Sequence, residues 1–177
     1  FQDLSLSDLI KLLRSKIHEE RLLALLILVH QFNKADPKAR EKIYKAYLAN
    51  TKFVNNWDLV DLSAPKIVGG FLINKDKKIL YKLAKSPLLW GRRIAVLATF
   101  AFIRLGDFAD VFSITKLLLN DQEDLIHKAC GWMLREVGKR DLHAEEKFLR
   151  KYCKVMPRTM LRYAIEKFSQ KKRKTFL

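Results

Sequence analysis

A short stretch beginning at Trp57 combines an aromatic residue with two carboxylates at helical spacing. Asn56 is a good N-cap, so we expect a helix from Trp57, and Asp58 in its first turn suits the helix dipole. Asp61 lies beyond that turn, and its apolar neighbours indicate partial burial. Trp57 and Asp61 share a helix face, although packing of Trp57 in the core is an alternative. A fixed carboxylate can stabilise a positive charge, so Asp61 is our first candidate for chemistry.

Two adjacent arginines, Arg92 and Arg93, follow Trp90 near the start of a later helix. Neighbouring residues on a helix point about 100° apart, so only one of the two arginines can face a groove. The alternative for the other is a buried ion pair between repeats, and the sequence fits either assignment. Trp90, Arg92 and Arg93 are therefore candidate contacts for an anionic ligand.

Trp132 stands directly after Gly131, between the basic residues Lys128 and Arg135. It either lines a site or fills the space that the glycine leaves, and both interpretations stay open. Lys128 and Arg135 are further candidates for contact with an anion.

The charge of the chain indicates a polyanionic partner. The net charge is +16, from 35 Lys and Arg against 19 Asp and Glu, which exceeds what solubility needs. Residues 128–177 hold 15 of the basic residues and five of the acidic ones. Arg158 and Arg162 are four apart, which suits either phosphate contact or a solvated helix face. We expect residues 169–177 to form a solvated basic tail.

Several classes of protein are excluded by what the sequence lacks. No apolar stretch approaches the roughly 20 residues of a membrane span, and no signal peptide is evident. Cys130 and Cys153 have no zinc-ligand spacing, the four histidines are scattered, and there is no Gly-rich phosphate loop. We expect a cytoplasmic protein that needs no metal, cofactor or membrane.

Apolar residues recur at helical spacing along the whole chain, and no stretch alternates with a period of two. The sequence therefore predicts an all-α protein. Caps and breakers place about ten helices, at 7–14, 18–32, 37–49, from 57, up to 85, and at 87–105, 108–119, 123–139, 142–152 and 157–168.

Small residues mark the middle of every second helix. Ala24, Ala95, Gly131 and Ala164 lie 71, 36 and 33 residues apart, so the period is about 35. Because Ala24 and Ala95 are two periods apart, a further repeat is expected between them, with its middle near Leu59. The helix that begins at Trp57 therefore fits the repeat. Repeated helix pairs of this kind stack into a solenoid.

The segments 57–61, 92–95, 128–136 and 157–166, in this order along the chain, resemble the DNA alkylation repair family. Its members are stacks of HEAT-like helix pairs with a concave face that holds duplex DNA. The resemblance implies that residues 1–177 form a single superhelical solenoid of about five antiparallel helix pairs. The family normally has some fifty residues before this point, and the start at Phe1 also reads like the interior of a longer protein, so we expect a fragment.

The resemblance also implies an activity, the removal of N3- and N7-alkylated purines from double-stranded DNA by a monofunctional glycosylase in base excision repair. The tryptophans of the family's cleft match Trp57 and Trp132, its aspartate matches Asp61, and its arginine best matches Arg93. Asp61 would stabilise the sugar cation, the tryptophans would pack against the sugar, and Arg93 would hold a phosphate. Such a solenoid would work as a monomer.

Two other functions remain open from the residues alone. A non-catalytic DNA-binding or scaffold solenoid is the first, because a fold does not determine function. Asp61 separates the two possibilities, since a carboxylate facing the cleft favours the enzyme and one buried in the core favours the scaffold. The second is an adaptor for acidic proteins, which predicts a basic ridge without aromatic residues in the groove.

Overall fold

A computed structural model describes residues 4–177, and these residues are helical with no β-strand among them. The interpretation of the first residues as the interior of a longer protein falls largely on Phe1, Gln2 and Asp3, which lie outside the described residues. The helices are α1 (Leu6–Leu13), α2 (His18–Lys34), α3 (Pro37–Ala49), α4 (Trp57–Ala64), α5 (Gly70–Leu72), α6 (Lys78–Ala84), α7 (Leu89–Ala98), α8 (Phe100–Ile103), α9 (Ala109–Leu117), α10 (Asp124–Gly138), α11 (Leu142–Tyr152), α12 (Arg158–Ala164) and α13 (Gln170–Lys174).

Local side chains explain where these helices begin. The Asn56 side chain accepts a hydrogen bond from the Trp57 N–H, so α4 begins where the sequence predicts. Asp36 caps α3 in the same way, and Pro37 fits the first helical position. Ser5 rather than Ser7 caps α1, which therefore begins at Leu6.

Two of the predicted helices are divided in the structure. The predicted helix 87–105 is split into α7 and α8 at Thr99, whose buried hydroxyl donates to the Val96 carbonyl at 2.6 Å. The predicted helix 157–168 ends at Ala164 and continues as a 3₁₀ turn, Ile165–Lys167.

A continuous row of helices forms the spine of the molecule. Helices α2, α4, α7, α10 and α12 pack against one another in succession, and α1, α3, α6, α9 and α11 pack beside them. The residues at the middle of the row, from Ala24 through Leu59 and Ala95 to Ala164, are fully buried. The protein is thus a helical solenoid. Helix α4, which contains Leu59, is the repeat helix expected between Ala24 and Ala95.

The repeat is also visible in its hydrogen bonds. Nη1 of Arg21 donates to the carbonyl of Ser15 and to that of the next residue, at 3.0 and 3.1 Å. Nη1 of Arg92, 71 residues later, donates to the carbonyl of Ser86 and to that of its successor at the same distances. Two repeats therefore enter their inner helices through the same turn.

Gly131 allows a close approach between α10 and α12. A Cβ atom at this position would lie 2.4 Å from the Met160 carbonyl oxygen and 2.5 Å from the Tyr163 Cβ. The space that the glycine leaves is therefore occupied by α12, and any larger residue would force the two helices apart.

The basic C-terminus folds back onto the domain instead of extending as a free tail, although most of residues 169–177 are exposed to solvent. Ser169 caps α13, and Phe176 is buried against Phe168, with 5.7 Å between the ring centroids. The apolar residue near the end of the chain explains the difference, because its burial draws the segment back onto the domain. Between residues 4 and 177, no helix is long and apolar enough to cross a membrane.

Candidate active site

Two adjoining concavities run across the inner helices α4, α7, α10 and α12. Their volumes are about 310 and 430 Å³, and both are lined by Lys128 and Tyr163, so together they form one groove. We call it the tryptophan groove. The first concavity is completed by Trp57, Arg93, Leu125, Trp132 and Arg135, and the second by Thr159, Arg162 and Glu166.

Trp57 is presented to the groove rather than to the core. Its side chain is 55% exposed although it is the first residue of α4, a helix that is otherwise well packed. The alternative of core packing is therefore wrong for this residue. An exposed indole beside four cationic groove residues is typical of a binding surface.

Asp61 and Arg93 form a bidentate ion pair between α4 and α7. Nε of Arg93 donates to Oδ1 and Nη2 donates to Oδ2, both at 2.8 Å. The remaining nitrogen, Nη1, donates to the Leu125 carbonyl of α10 at 2.6 Å. One arginine thus connects three successive helices of the solenoid.

The pairing fixes what Asp61 and Arg93 can do. The Asp61 side chain is 16% exposed and that of Arg93 6%, so the carboxylate is neither open to the groove nor sealed in the core. Each carboxylate oxygen keeps acceptor capacity beyond its bond to the arginine. All three guanidinium nitrogens of Arg93 have protein partners, so the arrangement favours the positioning of Asp61 over the predicted phosphate contact.

Arg92 takes the other role that the sequence left open. Its Nε and Nη2 donate to Asp121 at 2.6 and 3.3 Å, in an ion pair between α7 and the segment before α10. Both arginines are therefore paired between repeats, and of the two only Arg93 lines the groove. Trp90 is half-buried against the hydrophobic core and likewise lies outside the groove lining. The structure does not bring Arg92 or Trp90 to the site predicted for them.

Trp132 forms the second aromatic wall of the groove. It is half-buried, its ring centroid lies 6.3 Å from that of Phe100, and its indole N–H points to Oε1 of Glu136 at 3.4 Å. Burial alone would raise the pKa of Glu136, but hydrogen bonds from Lys139 and Arg140 outweigh it and lower that pKa. Trp132 is therefore oriented by a charged carboxylate.

Lys128 and Arg135, both predicted as anion contacts, also line the groove. Nζ of Lys128 lies 2.8 Å from the Asp124 carboxylate, which raises the pKa of Lys128. The Arg135 guanidinium is paired with Glu166. Each of the two cations thus has a carboxylate partner close to the groove.

Arg158 and Arg162 are separated by the structure although they are four residues apart. Arg162 lines the groove beside Lys128. Arg158 instead donates to the Leu177 carbonyl at 3.3 Å and lines a different concavity near the C-terminus. Only Arg162 lies where the phosphate interpretation needs it.

Three groove residues that share a helical face with the predicted Arg162, namely Thr159, Tyr163 and Glu166, were missed in the sequence. Thr159, Arg162, Tyr163 and Glu166 stand at positions i, i+3, i+4 and i+7, and all four line the groove. This spacing is that of a single helix face, so the pattern was available, with Arg158 at its edge.

Residues 4–177 contain no group of three or more His, Cys, Asp or Glu side chains arranged to hold a metal ion.

The fold and the site together define an α-solenoid with a cationic groove that presents an exposed tryptophan, and with an aspartate fixed by the groove residue Arg93. The chain belongs to the DNA alkylation repair enzyme family, whose model matches residues 1–168. The resemblance recognised in the sequence is thereby confirmed, and a role in alkylation repair follows from it.

A solved structure supports the fold. The chain is similar to a structure described as a predicted DNA alkylation repair enzyme from Enterococcus faecalis, with a TM-score of 0.71 and 15% identity over 96% of this chain and 79% of that one. At this identity the likeness shows the fold alone. No curated protein matches the chain.

Proposed function

We propose that this protein is a monofunctional DNA glycosylase that removes N3- and N7-alkylated purines from double-stranded DNA, acting as a monomer in the cytoplasm. The observation that carries the proposal is the Asp61 carboxylate, which Arg93 holds in one orientation beside a groove lined by Trp57 and Trp132. Membership of the DNA alkylation repair enzyme family supports alkylated DNA as the substrate of this reaction.

The groove suits a duplex that contains a cationic base. Lys128, Arg135 and Arg162 attract the phosphate backbone. Trp57 and Trp132 offer indole faces to the sugar and to a positively charged purine, for which cation–π attraction adds about 0.5–2 kcal/mol. Neutral bases gain none of this attraction, so the aromatic walls favour the alkylated nucleotide.

The reaction follows from the charge of the substrate. The bond between C1′ and N9 breaks, its electron pair leaves with the purine, and the departing base becomes neutral. The sugar develops positive charge, which the Asp61 carboxylate stabilises. Water then adds to C1′ and loses a proton to Asp61 or to solvent, which yields the free base and an abasic site. No general acid is needed, because the leaving group already carries its charge.

Arg93 contributes by orienting the carboxylate. A bidentate guanidinium fixes the plane of Asp61, although it also neutralises part of its charge. Orientation toward the sugar and the attacking water is therefore the larger part of what Asp61 supplies. The remaining acceptor sites on its oxygens are free for the water molecule.

A second candidate is a DNA-binding solenoid without catalysis, and the Arg92–Asp121 pair favours it. This pair has the same chemistry as Arg93–Asp61 and lies away from the groove, so an arginine–aspartate pair between repeats can be purely structural. On this view Asp61 would only join α4 to α7.

The test compares Asp61→Asn with Asp121→Asn, which breaks the other inter-repeat pair. Release of 7-methylguanine from methylated duplex DNA is measured for the full-length protein and both variants, with DNA binding and thermal unfolding followed in parallel. We expect Asp61→Asn to lower the rate of release by about 10²–10³-fold with binding retained, and folded Asp121→Asn to keep its rate. A wild type that binds DNA and releases no base, or equal losses in both variants, would favour the structural view.

A further inference from the structure

Arg135 differs from Arg93, the other arginine beside the tryptophans, in how its guanidinium is used. Arg93 has a protein partner for each of its three nitrogens. Within residues 4–177, Arg135 has one hydrogen-bond partner, the Glu166 carboxylate, and its Nε is buried without a partner. A guanidinium offers five N–H donors. Arg93 uses three of them, one on each nitrogen, whereas Arg135 uses one, on Nη1, so Arg135 keeps more capacity for an anion.

Glu166 is the acidic residue of an otherwise basic groove lining. It lies on the 3₁₀ turn after α12 and lines the groove beside Arg162 and Tyr163. Its side chain is 46% exposed, so a carboxylate of this kind stays hydrated and can exchange partners. An ion pair with a partner as exposed as Glu166 is worth about 0.2–1 kcal/mol.

Glu166 places a carboxylate of the protein itself where the phosphate of a bound duplex would lie. Arg135 itself lines the concavity that contains Trp57 and Trp132, and its carboxylate partner lines the adjoining one. A phosphodiester that followed the groove from Arg162 toward Trp57 would meet the Arg135–Glu166 pair on its way. Phosphate accepts bidentate hydrogen bonds from arginine, whereas two anions at the same site repel each other.

We propose that Arg135 is the backbone-phosphate site next to the tryptophans, and that Glu166 occupies it in the free protein and must be displaced when DNA binds. Displacement of Glu166 then weakens binding to every duplex, so that undamaged DNA, which gains no cation–π attraction from the aromatic walls, is held only weakly. The inference rests on the proposed function for its ligand, duplex DNA, and does not depend on catalysis.

The experiment measures the affinity for an unmodified duplex by fluorescence anisotropy. Glu166→Gln is compared with Glu41→Gln, which makes the same change in charge at a similarly exposed glutamate, 49% against 46%, paired with Lys45 on α3. We expect Glu166→Gln to bind roughly two- to fivefold more tightly than the wild type, and Glu41→Gln to stay near the wild type.

A double-mutant cycle separates a specific contact from general electrostatics. In an Arg135→Gln background the effect of Glu166→Gln should disappear, and the slope of log K against log salt should fall by about 0.9, the value for one phosphate contact. If Arg135→Gln does not fold, Glu166→Lys against Glu41→Lys repeats the comparison with a larger expected gain. Equal affinities for the Glu166 and Glu41 variants, or a gain that persists without Arg135, overturn the inference.

The outcomes also distinguish the inference from the proposed function. A Glu166→Gln variant that binds more tightly supports the phosphate site even if no base is released. Conversely, a wild type that releases base while Glu166→Gln binds no more tightly leaves the glycosylase standing and removes the role of Glu166. A further consequence is measurable in an active protein, since an excess of undamaged duplex should inhibit base release more strongly in Glu166→Gln than in Glu41→Gln.

Discussion

The two ion pairs of α7 have the same chemistry and different surroundings. Arg92 and Arg93 are consecutive, and each holds an aspartate from another part of the solenoid through two nitrogens. Arg92 also donates to two backbone carbonyls and Arg93 to one. The Arg92–Asp121 pair lies beside the turn before α7, where Arg92 donates to the Ser86 carbonyl just as Arg21 donates to the Ser15 carbonyl in an earlier repeat. Beside the Arg93–Asp61 pair lies the groove with its tryptophans. A contact that stacks repeats elsewhere is thus placed where it can also orient a carboxylate for chemistry.

Energetically the two pairs should behave alike. The side chains of both pairs are largely withdrawn from solvent, so removal of one partner leaves an uncompensated charge and costs about 3–5 kcal/mol. Stability alone therefore cannot separate a structural pair from a functional one. Activity per folded molecule can, and the largest difference between the two regions is expected there.

The first prediction replaces each arginine with methionine. Both variants should lose about 3–5 kcal/mol of unfolding free energy, because each leaves an aspartate that is largely withdrawn from solvent without its partner. Arg93→Met should also lower the rate of base release by about 10²-fold, since misplacement of a catalytic group by about 1 Å costs that much. Urea unfolding and single-turnover release, corrected for the folded fraction, measure the two effects.

Folded Arg92→Met is the matched control and should retain the wild-type rate. An equal loss of rate in the two variants would mean that general loosening of α7, rather than the orientation of Asp61, limits catalysis. A wild-type rate in Arg93→Met would remove Arg93 from the mechanism altogether.

This comparison also shows where prediction from the sequence succeeds. The repeat spacing predicts the solenoid, and the resemblance to the repair family predicts Trp57, Arg93 and Trp132 as residues of one site; all three line the same groove. Helices with strong caps, such as α3 and α11, have the predicted bounds.

Prediction fails where a residue's partner is distant in sequence. Arg92 is withdrawn from the groove by Asp121, 29 residues away, and Arg158 reaches the Leu177 carbonyl, 19 residues away. The burial of Phe176 is equally non-local. Spacing along one helix contains no information about such contacts, whereas the face of α12 that includes Tyr163 was encoded in its periodicity.

The second prediction concerns Glu145, a buried carboxylate that no arginine holds by a hydrogen bond in residues 4–177. Glu145 of α11 is buried, its Oε1 has no hydrogen-bond partner within residues 4–177, and its Oε2 lies 1.7 Å from where a Cβ on Gly138 would stand. Burial, helped by the charge of Glu146, raises the pKa of Glu145 to about 8, against 4.5 in an unfolded chain. Between these values the unfolded chain releases the proton and the folded protein keeps it, so stability falls as pH rises.

The slope is at most about 1.4 kcal/mol per pH unit. Glu145→Gln should remove this fall, so its unfolding free energy should exceed that of the wild type increasingly from pH 5 to pH 8 in urea titrations. Glu41→Gln is the control and should keep the wild-type slope, because the Lys45 hydrogen bond lowers the pKa of Glu41, which is therefore ionised throughout this range. The same slope in the wild type and Glu145→Gln would show that Glu145 ionises freely.

The third and smallest effect contrasts Trp57 with Trp90, the tryptophans at the beginnings of α4 and α7. Trp57→Ala removes an exposed ring from the groove, so we expect unfolding free energy to change by about 0.5 kcal/mol or less and base release to fall about tenfold. Trp90→Ala removes a ring that packs on the core, and should cost about 2 kcal/mol of stability with release unchanged in the folded fraction. The reverse pattern would place the ligand on the Trp90 side of α7, where Arg92 rather than Arg93 would have to be the functional arginine.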